Sequence, residues 1–429
     1  MSIYGFSELK LRRFPFGSTL LACLLFLSPL HAEEKITKPP LILKKGDRIV
    51  MMGDSITEEK GYSKFLELYF AACLPELDLH TMHMGWSGAP IAGLLGRLKL
   101  LTIPYKPNIV TLSAGGANGG YSEYSPAIAE QYTKSLNAIV DQLKAINAIS
   151  LVCSPCAMDA HFSKGPVHNE SLEQLSILAR QIAEAQHMPF ADVNGDINKT
   201  AAKAKAVLGE DYPVCGPDGI HPYANGSLVI TYALLKGMGV DGNIGTITLD
   251  MKGPATATEG HKVLSSQNGQ AEIESTRYPF CFTGDEKSPL GTRSILPFLP
   301  FNQDLNRLML VVKNLDSEKA KVTWGTASKI FTKKELTSGI NLADAFVEAN
   351  PFQKNFEKAD AAVLAKQNLE TDCKHVVEDF NDLTDEDAET KAQLDGIRRK
   401  IEDILEKSRT EVRAILSPVK YTLTVTPEA

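Results

Sequence analysis

Short apolar runs alternate with longer amphipathic stretches through the first half of the chain. The runs predict strands because they are brief and rich in Ile, Val, Leu and Met, whereas the longer stretches repeat apolar residues at helical spacing. The predicted strands are residues 48–52, 77–82, 109–112, 150–153 and 189–193. The predicted helices are residues 62–74, 91–100, 127–146, 170–186 and 227–236. This alternation predicts a three-layer α/β/α fold around a parallel sheet.

The second half of the chain has a different pattern. Residues 246–249, 271–274 and 308–312 alternate or cluster as strands between Gly, Pro and Asn turns, which predicts a β-rich module. Residues 356–379 and 385–416 are rich in Ala, Glu and Lys and predict two helices. One face of the second helix is apolar: Leu394, Ile397, Ile401, Ile404 and Leu405. We interpret the pair as a helical hairpin packed on the body, with a partner-binding coiled coil as the alternative.

These changes of pattern divide the chain into four parts. They are a signal peptide at residues 1–32, an α/β domain at 33–244, a β-rich accessory module at 245–350 and a C-terminal helical region at 351–429. The signal peptide is predicted from a basic flank, an apolar centre at residues 20–27 and Ala32 as the small residue before cleavage. That apolar centre is too short for a comfortable membrane span. We expect export to the periplasm or the cell exterior, with an uncleaved N-terminal anchor as the alternative.

A candidate nucleophile lies where the first predicted strand ends. The tripeptide Gly53-Asp54-Ser55 follows the apolar run 49–52 and precedes a predicted helix. In open α/β sheets, ligands bind in the crevice outside the carboxyl ends of the strands. Ser55 is therefore placed to act as a nucleophile if a base lies nearby. The alternative is that Ser55 or Thr57 only caps a helix.

A candidate base and its carboxylate partner lie much later, in Asp218-Gly219-Ile220-His221-Pro222. In serine hydrolysis, one imidazole nitrogen takes the hydroxyl proton while a carboxylate orients the other nitrogen and stabilises the imidazolium. Asp218 and His221 have the residue types and the spacing for these two roles. A structural turn is the alternative, because Gly and Pro are typical turn residues.

Two further segments could stabilise the oxyanion that develops during acyl transfer. One is Gly85-Trp86-Ser87-Gly88, and the other is Gly115-Gly116-Ala117-Asn118, which follows the predicted strand 109–112. Gly85 would donate its backbone N–H, and Asn118 its side-chain amide. Asn118 would emerge beside Ser55 if the two preceding strands are neighbours in the sheet.

These four segments, in this order, resemble the SGNH (GDSL-type) hydrolase family, named for Ser, Gly, Asn and His in four separated blocks. The matching positions are Ser55, Gly85, Asn118 and His221, and the resemblance covers about residues 47–239. It implies a flavodoxin-like parallel sheet, a catalytic triad completed by Asp218, and an oxyanion hole that also uses the Ser55 N–H. Two positions depart from the family pattern: His83 stands where the second block usually has Asn, and Gly119 where the third usually has Asp.

A weaker resemblance concerns the later part of the chain. Residues 299–312, 339–343 and 350–352 look like the accessory region of secreted GDSL-like proteins from planctomycete-type bacteria. No sequence repeat or low-complexity tract stands out.

Charge and cysteine content narrow the choice of function. The formal net charge is −7 and no basic stripe with interleaved aromatics is present, which argues against a nucleic-acid partner. Cys153 and Cys156 could form a disulfide in an oxidising compartment, but connectivity is not deducible. A redox site and a zinc site both lack the expected context, so we expect no metal and no cofactor.

The combined pattern predicts an exported serine esterase that hydrolyses small acyl esters, preferably O-acetyl groups on a carbohydrate. A short-chain lipase or thioesterase is an alternative within the same chemistry. A carbohydrate-binding protein that retains only the scaffold, and a flavodoxin-like cofactor binder, are alternatives from other classes. The oligomeric state stays open.

Overall fold

The computed structural model describes residues 40–382 and 387–428, so the predicted signal peptide at 1–32 lies outside the described residues. A five-stranded sheet, sheet A, has the order β2-β1-β3-β4-β5, and every neighbouring pair is parallel. Its strands are β1 Arg48–Gly53, β2 His80–Gly85, β3 Ile109–Ser113, β4 Ile149–Cys153 and β5 Phe190–Ala191. This is the flavodoxin-like order, whose switch point lies between β1 and β3.

Helices cover both faces of sheet A. They are α1 Ser55–Glu58, α2 Gly61–Cys73, α3 Ile91–Arg97, α4 Pro126–Ala145, α5 Asn169–Ala185, α6 Val193–Leu208 and α7 Ala224–Gly237. Alternate residues of β1 enter two hydrophobic cores: Ile49 and Met51 pack with α2 and α7, and Val50 and Met52 pack with α3, α4 and α5. The predicted three-layer α/β/α fold is confirmed.

The second strand begins and ends three residues later than the sequence predicts. Residues 75–77 form a 3₁₀ turn and Asp78 has a left-handed backbone with φ 50°, so the chain cannot extend before His80. The strand then continues through His83 to Gly85, although these polar and small residues carry no strand signal. Gly85 therefore lies inside the sheet rather than in the following loop.

Two further sheets form the β-rich region. Sheet B has the order β13-β10-β6-β7, and sheet C the order β12-β11-β14-β9-β8. The strands are β6 Asn243–Asp250, β7 Thr256–Ala257, β8 His261–Gln267, β9 Gln270–Ser275, β10 Arg307–Lys313, β11 Lys319–Trp324, β12 Ala327–Thr332, β13 Ile340–Asn341 and β14 Val419–Glu428. Short helices connect them: α8 Phe301–Leu305, α9 Lys333–Ser338 and α10 Leu342–Ala345. The sequence analysis missed β14, which pairs with both β9 and β11 after the last helix.

An aromatic cluster joins this region to α2. Its members surround Phe280, with ring-centroid distances from 4.9 to 6.4 Å: Phe65, Tyr69, Phe282, Phe301 and Phe356. Phe280 itself is only 2% exposed. Large buried rings contribute much apolar area to stability, and edge-to-face or tilted pairs add to it.

The predicted helical hairpin consists of α11 Gln353–Asp382 and α12 Ala388–Ile415. Helix α11 packs against α2 and β2, and α12 packs against α11. Leu394 and Leu405 are buried in the core that also contains α3, α4 and α5, with Ile397 and Ile401 packed partly against it. Within residues 40–382 and 387–428, none of the helices has the length and apolar character needed to cross a membrane.

Candidate active site

The turn after β1 presents Ser55 at the first position of α1. Asp54 caps this helix, with its Oδ1 accepting the Ile56 N–H over 3.2 Å. Gly53 must be glycine because a Cβ there would overlap the Thr57 side chain and the Ser113 carbonyl. The tight turn thus sets the serine at the carboxyl edge of sheet A, where its hydroxyl can meet groups from other strand ends.

The structure brings Ser55, His221 and Asp218 into one hydrogen-bonded chain. Ser55 Oγ lies 2.9 Å from His221 Nε2, and His221 Nδ1 lies 2.7 Å from Asp218 Oδ2. A carboxylate can only accept, so Nδ1 carries the proton and Nε2 accepts from the serine hydroxyl. The imidazole is therefore in the tautomer that a general base requires.

The local backbone holds Asp218 in place. Its other oxygen, Oδ1, accepts the N–H groups of Ile220 and His221, both over 2.9 Å. Burial raises the pKa of Asp218, but hydrogen bonds from the His221 ring and from these two amides outweigh it, so the net pKa is below its ordinary value. The carboxylate stays ionised and oriented toward His221.

Asp54 is a second carboxylate at this edge, and it is buried. Burial raises its pKa to about 6, although the N–H groups of Ile56, Gly115 and Gly116 oppose the shift. These bonds connect the nucleophile turn to the loop after β3. Gly115 has φ +143°, and a Cβ there would overlap Pro155, so this close approach needs glycine.

Asn118 lies on a π-helical turn, Gly116–Gly120, that follows β3, the neighbour of β1. Its Oδ1 accepts the Ile91 N–H over 2.9 Å, which fixes the amide plane. Oδ1 is thereby occupied, and the side-chain NH₂ is the group left to donate to a substrate. This is the orientation that the predicted oxyanion role requires.

Gly85 lies at the end of β2, and its surroundings differ from those expected of an oxyanion donor. It is buried, and its carbonyl accepts a hydrogen bond from Lys374 of α11. The N–H and carbonyl of one residue in a parallel strand point to the same side, so the Gly85 N–H also faces α11. The oxyanion role of Gly85 stays a prediction that this geometry does not favour.

Gly88 is the residue that the sequence analysis passed over. It lies in the Trp86 loop, residues 86–90, where it is exposed and has φ +69°. Within the described part of the chain, no acceptor is recorded for its N–H. The hydrogen bond from the Ile91 N–H to Asn118 Oδ1 holds the chain directly after this loop. If the second strand had been predicted to end at Gly85, the turn signal of Ser87-Gly88 would have identified Gly88 from the sequence.

The two departures from the family pattern have structural explanations. His83 is buried on β2, and its Nε2 donates to the Thr57 carbonyl of α1 over 2.6 Å, so it is a polar neighbour of the nucleophile helix. Burial lowers the pKa of His83 to about 3, which keeps the ring neutral. A Cβ at Gly119 would lie 2.8 Å from Leu175 Cδ1, so an Asp there would require the Leu175 side chain to move.

Glu59 is another acidic group that sequence reasoning missed. Its Oε1 lies 4.0 Å from His221 Nδ1, and its side chain is half exposed. Burial and the nearby Asp218 charge raise the pKa of Glu59. The sequence signal for Glu59 was its position four residues after Ser55, which is about one turn of a helix.

The remaining sequence candidates do not form a metal or redox centre in this structure. Cys153 and Cys156, considered as a disulfide pair, are both free thiols. Burial raises the pKa of Cys153 to about 12, so this thiol stays protonated. Across residues 40–382 and 387–428, no group of three or more His, Cys, Asp or Glu side chains is arranged to hold a metal ion.

Comparison with known proteins gives a family for the part of the chain that holds this site. Residues 51–228 match the model of the GDSL-like Lipase/Acylhydrolase family. No curated protein matches the chain.

Among solved structures, a gut microbial diltiazem-metabolizing enzyme is similar, with a TM-score of 0.68 and 19% identity over 91% of this chain and 99% of that one. The acetylxylan esterase Axe2 from Geobacillus stearothermophilus is similar over 46% of this chain and 96% of its own, with 22% identity and a TM-score of 0.39. At 19% identity, the likeness to the diltiazem-metabolizing enzyme concerns the fold alone.

The α/β domain, with a serine, histidine and aspartate joined at its carboxyl edge, has the three-layer fold of the SGNH hydrolases. Residues 51–228, less than half of the chain, are similar to the GDSL-like Lipase/Acylhydrolase family. The expected enzyme class, a carboxylic ester hydrolase, is confirmed.

Proposed function

We propose that this protein hydrolyses small acyl esters through Ser55, His221 and Asp218. The continuous hydrogen-bonded chain from Ser55 Oγ to Asp218 carries the proposal. Ser55 attacks the ester carbonyl as His221 Nε2 takes its proton, and Asp218 stabilises the resulting imidazolium. No metal or cofactor enters this scheme.

The oxyanion is stabilised by donors from three separate segments. The Ser55 N–H and the Asn118 side-chain NH₂ are two of them, and the Gly88 N–H is our third choice in place of Gly85. His221 then gives its proton to the leaving alkoxide. It next takes a proton from the water that attacks the acyl-enzyme, which regenerates the free serine.

The acyl group of the proposed substrate is short. Met158 lies against Gly116 and Gly120 at the two ends of the Asn118 turn, and Leu172 and Leu175 pack behind it. We place the acyl group on this side of the turn, where these side chains leave little space for a long chain. An acetyl group does not need that space.

The proposed alcohol is a carbohydrate. Tyr121 follows the Asn118 turn and is 51% exposed. Burial and the charges of Asp54 and Asp218 raise the pKa of Tyr121, so its ring lies within the influence of these two carboxylates. An exposed aromatic ring within the electrostatic influence of Asp218 offers a flat apolar surface against which a sugar ring can pack. This supports O-acetyl groups on a glycan as the preferred substrate.

The decisive test compares p-nitrophenyl acetate hydrolysis by the wild-type chain, Ser55→Ala and Ser163→Ala. Ser163 is a partly exposed serine in the loop after β4 whose hydroxyl bonds Gly165 of the same loop, so its variant controls for the loss of a hydroxyl. We expect loss of at least about 1,000-fold in kcat for Ser55→Ala and none for Ser163→Ala. Equal rates for wild type and a folded Ser55→Ala would rule out the esterase and leave a carbohydrate-binding scaffold.

A second assay resolves the substrate. Acetylated glycans and p-nitrophenyl esters of increasing acyl length are compared by kcat/KM. A steep fall beyond acetyl, with faster release of acetate from glycans than from simple alcohols, supports carbohydrate deacetylation. A rate that rises with chain length points instead to a short-chain lipase or thioesterase.

Export is part of the same proposal, since the intended glycan lies outside the cytoplasm. It is supported by the composition of residues 1–32. N-terminal sequencing of the protein recovered from a secreting bacterial host should find Glu33 as the first residue. A chain that keeps its initial methionine and stays with the cytoplasmic fraction would contradict this.

A further inference from the structure

The outer side of β2 is covered by α11 through side chains rather than by another strand. As an edge strand, β2 has N–H and carbonyl groups that need partners. The pairs along this edge are Lys366 Nζ with the Thr81 carbonyl at 3.2 Å, Glu370 Oε2 with the His83 N–H at 3.0 Å, and Lys374 Nζ with the Gly85 carbonyl. Four residues of a helix rise about 6 Å and two residues of a strand about 6.6 Å. Side chains four residues apart on α11 therefore match backbone groups two residues apart on β2.

The third of these side chains also reaches the nucleophile helix. Lys374 Nζ lies 3.0 Å from Glu58 Oε1, and the Lys374 side chain is fully buried. Glu58 is the last residue of α1, the short helix that begins with Ser55. Its other oxygen, Oε2, accepts the Ser87 N–H over 2.5 Å. One ammonium group and one carboxylate thus join α11, the nucleophile helix and the Trp86 loop.

Hydrogen bonding keeps the Glu58 carboxylate ionised, although burial lowers the pKa of its partner Lys374. Burial raises the pKa of Glu58, but the bonds from Ser87 and Lys374 outweigh it and bring the pKa to about 2. The carboxylate is therefore ionised throughout the working range of an esterase. A charge-assisted pair with little exposure holds its geometry more firmly than an exposed one.

The indole of Trp86 is held from the same helix. The His375 ring centroid lies 4.7 Å from that of Trp86, and Lys374 Nζ lies 4.9 Å from the indole centroid. Arg97 stacks on the ring at 4.1 Å and also donates to Glu378 of α11 over 2.8 Å. Side chains of α11 therefore pack against the start of the Trp86 loop, which carries Gly88. Asn118 binds the N–H of Ile91, the residue that follows this loop.

We propose that Lys374 and Glu58 are positioning residues, through which α11 sets the Trp86 loop relative to Ser55. The inference rests on the proposed function, because the alignment matters only if Ser55 is acylated. The family match ends at residue 228, so α11 lies outside the segment that defines the family. Through Lys374, helix α11 thereby contributes to the placement of the catalytic groups.

The test measures kcat and KM for p-nitrophenyl acetate in Lys374→Met, in Glu58→Gln and in the double variant. A displacement of about 1 Å in a catalytic group can cost about 100-fold in rate. We expect each single variant to lose about 10- to 100-fold in kcat while KM changes less than about threefold. The double variant should be little worse than either single one, because both substitutions break the same connection.

Gln367→Leu is the matched control. Gln367 is a buried polar residue of α11 whose side chain bonds Ser63 and Glu67 of α2. We expect it to lower the thermal midpoint while kcat per active site stays at the wild-type value. Active sites are counted by titration with diethyl p-nitrophenyl phosphate, which labels the nucleophile. If Lys374→Met fails to fold, the nearly isosteric Glu58→Gln decides.

The outcomes separate this inference from the proposed function. Ser55-dependent turnover in wild type, with kcat near the wild-type value in Lys374→Met and Glu58→Gln, overturns the positioning role alone. An equal loss of kcat in Gln367→Leu also overturns it, because the effect would then come from general loosening of α11. A wild-type protein without Ser55-dependent turnover overturns both.

Discussion

The carboxyl edge of sheet A and the aromatic cluster around Phe280 are built on opposite principles. The edge contains a buried carboxylate at Asp54 and left-handed backbone at Gly88 and Gly115. The cluster contains buried aromatic rings at contact distance. The edge of sheet A includes features that reduce stability, whereas the aromatic cluster adds to stability.

The difference shows where each region should be sensitive. Substitutions at the edge should change the rate more than the fold, because its groups orient charge and protons. Substitutions in the cluster should change the fold more than the rate, because packing is what its residues supply. Unfavourable local features concentrated at a functional site are typical when the rest of the fold compensates for them.

The largest expected effect is on catalysis at Asp218. Asp218→Asn removes the charge that orients and stabilises the His221 imidazolium, and we expect kcat to fall by about 10⁴-fold with little change in the thermal midpoint. Steady-state kinetics with p-nitrophenyl acetate measures this. The control is Asp211→Asn, because Asp211 forms an exposed pair with His161 at 2.8 Å and a surface pair of this kind contributes little. Similar rates in the two variants would contradict the triad.

A substitution in the cluster should produce the reverse result. Phe280→Ala leaves a cavity among the surrounding rings and should lower the free energy of unfolding by about 3–5 kcal/mol. Urea denaturation measures the loss, and kcat per titrated active site should stay within about twofold of wild type. Val207→Ala, at a side chain that is 72% exposed, should change stability by less than about 0.5 kcal/mol. A large loss of kcat in folded Phe280→Ala would contradict the expectation that the cluster affects the fold more than the rate.

The smallest effect concerns pH and the buried Asp54. Because burial raises its pKa from 3.8 to about 6, the folded protein binds this proton more tightly than the unfolded chain does. The contribution of Asp54 to stability is therefore fully present below about pH 4 and is lost as the pH rises through about 6. A shift of about two pKa units corresponds to about 3 kcal/mol.

Asp54→Asn removes this titration. The unfolding free energy of the variant minus that of wild type should therefore increase by up to about 3 kcal/mol between pH 4 and pH 7. Urea titrations of both proteins at several pH values measure the difference, with Glu173→Gln at an exposed position as the control. A difference that does not vary with pH would show that Asp54 carries no unfavourable charge.

Sequence patterns predicted the α/β fold and the meeting of Ser55 with His221. The apolar runs of sheet A are buried on both faces, so their signal is strong and their carboxyl ends mark one edge. The residues that meet there are signalled by local turn chemistry at Asp54, Gly115 and Gly219. Their chemical roles remain for the assays above to test.

Long-range contacts limited the rest of the prediction. The end of β2 was misplaced because His83 and Gly85 pair with α11, almost 300 residues later, rather than following strand propensity. That error directed attention to Gly85 instead of Gly88. The sequence also contains no sign of the contact between α11 and β2, since nothing local to the polar side chains of α11 shows that an edge strand lies beside them.

The position of β14 has a consequence for how the molecule is made. This strand lies between β9 and β11, and Val419 is paired with Ser275 across a long stretch of intervening chain. Pairing between such distant segments is slow because a large loop must close first. During synthesis, sheet C cannot be completed until residues 419–428 have left the ribosome, whereas every strand of sheet A is available much earlier. Nascent chains should therefore acquire the hydrolase domain first and close the accessory module last.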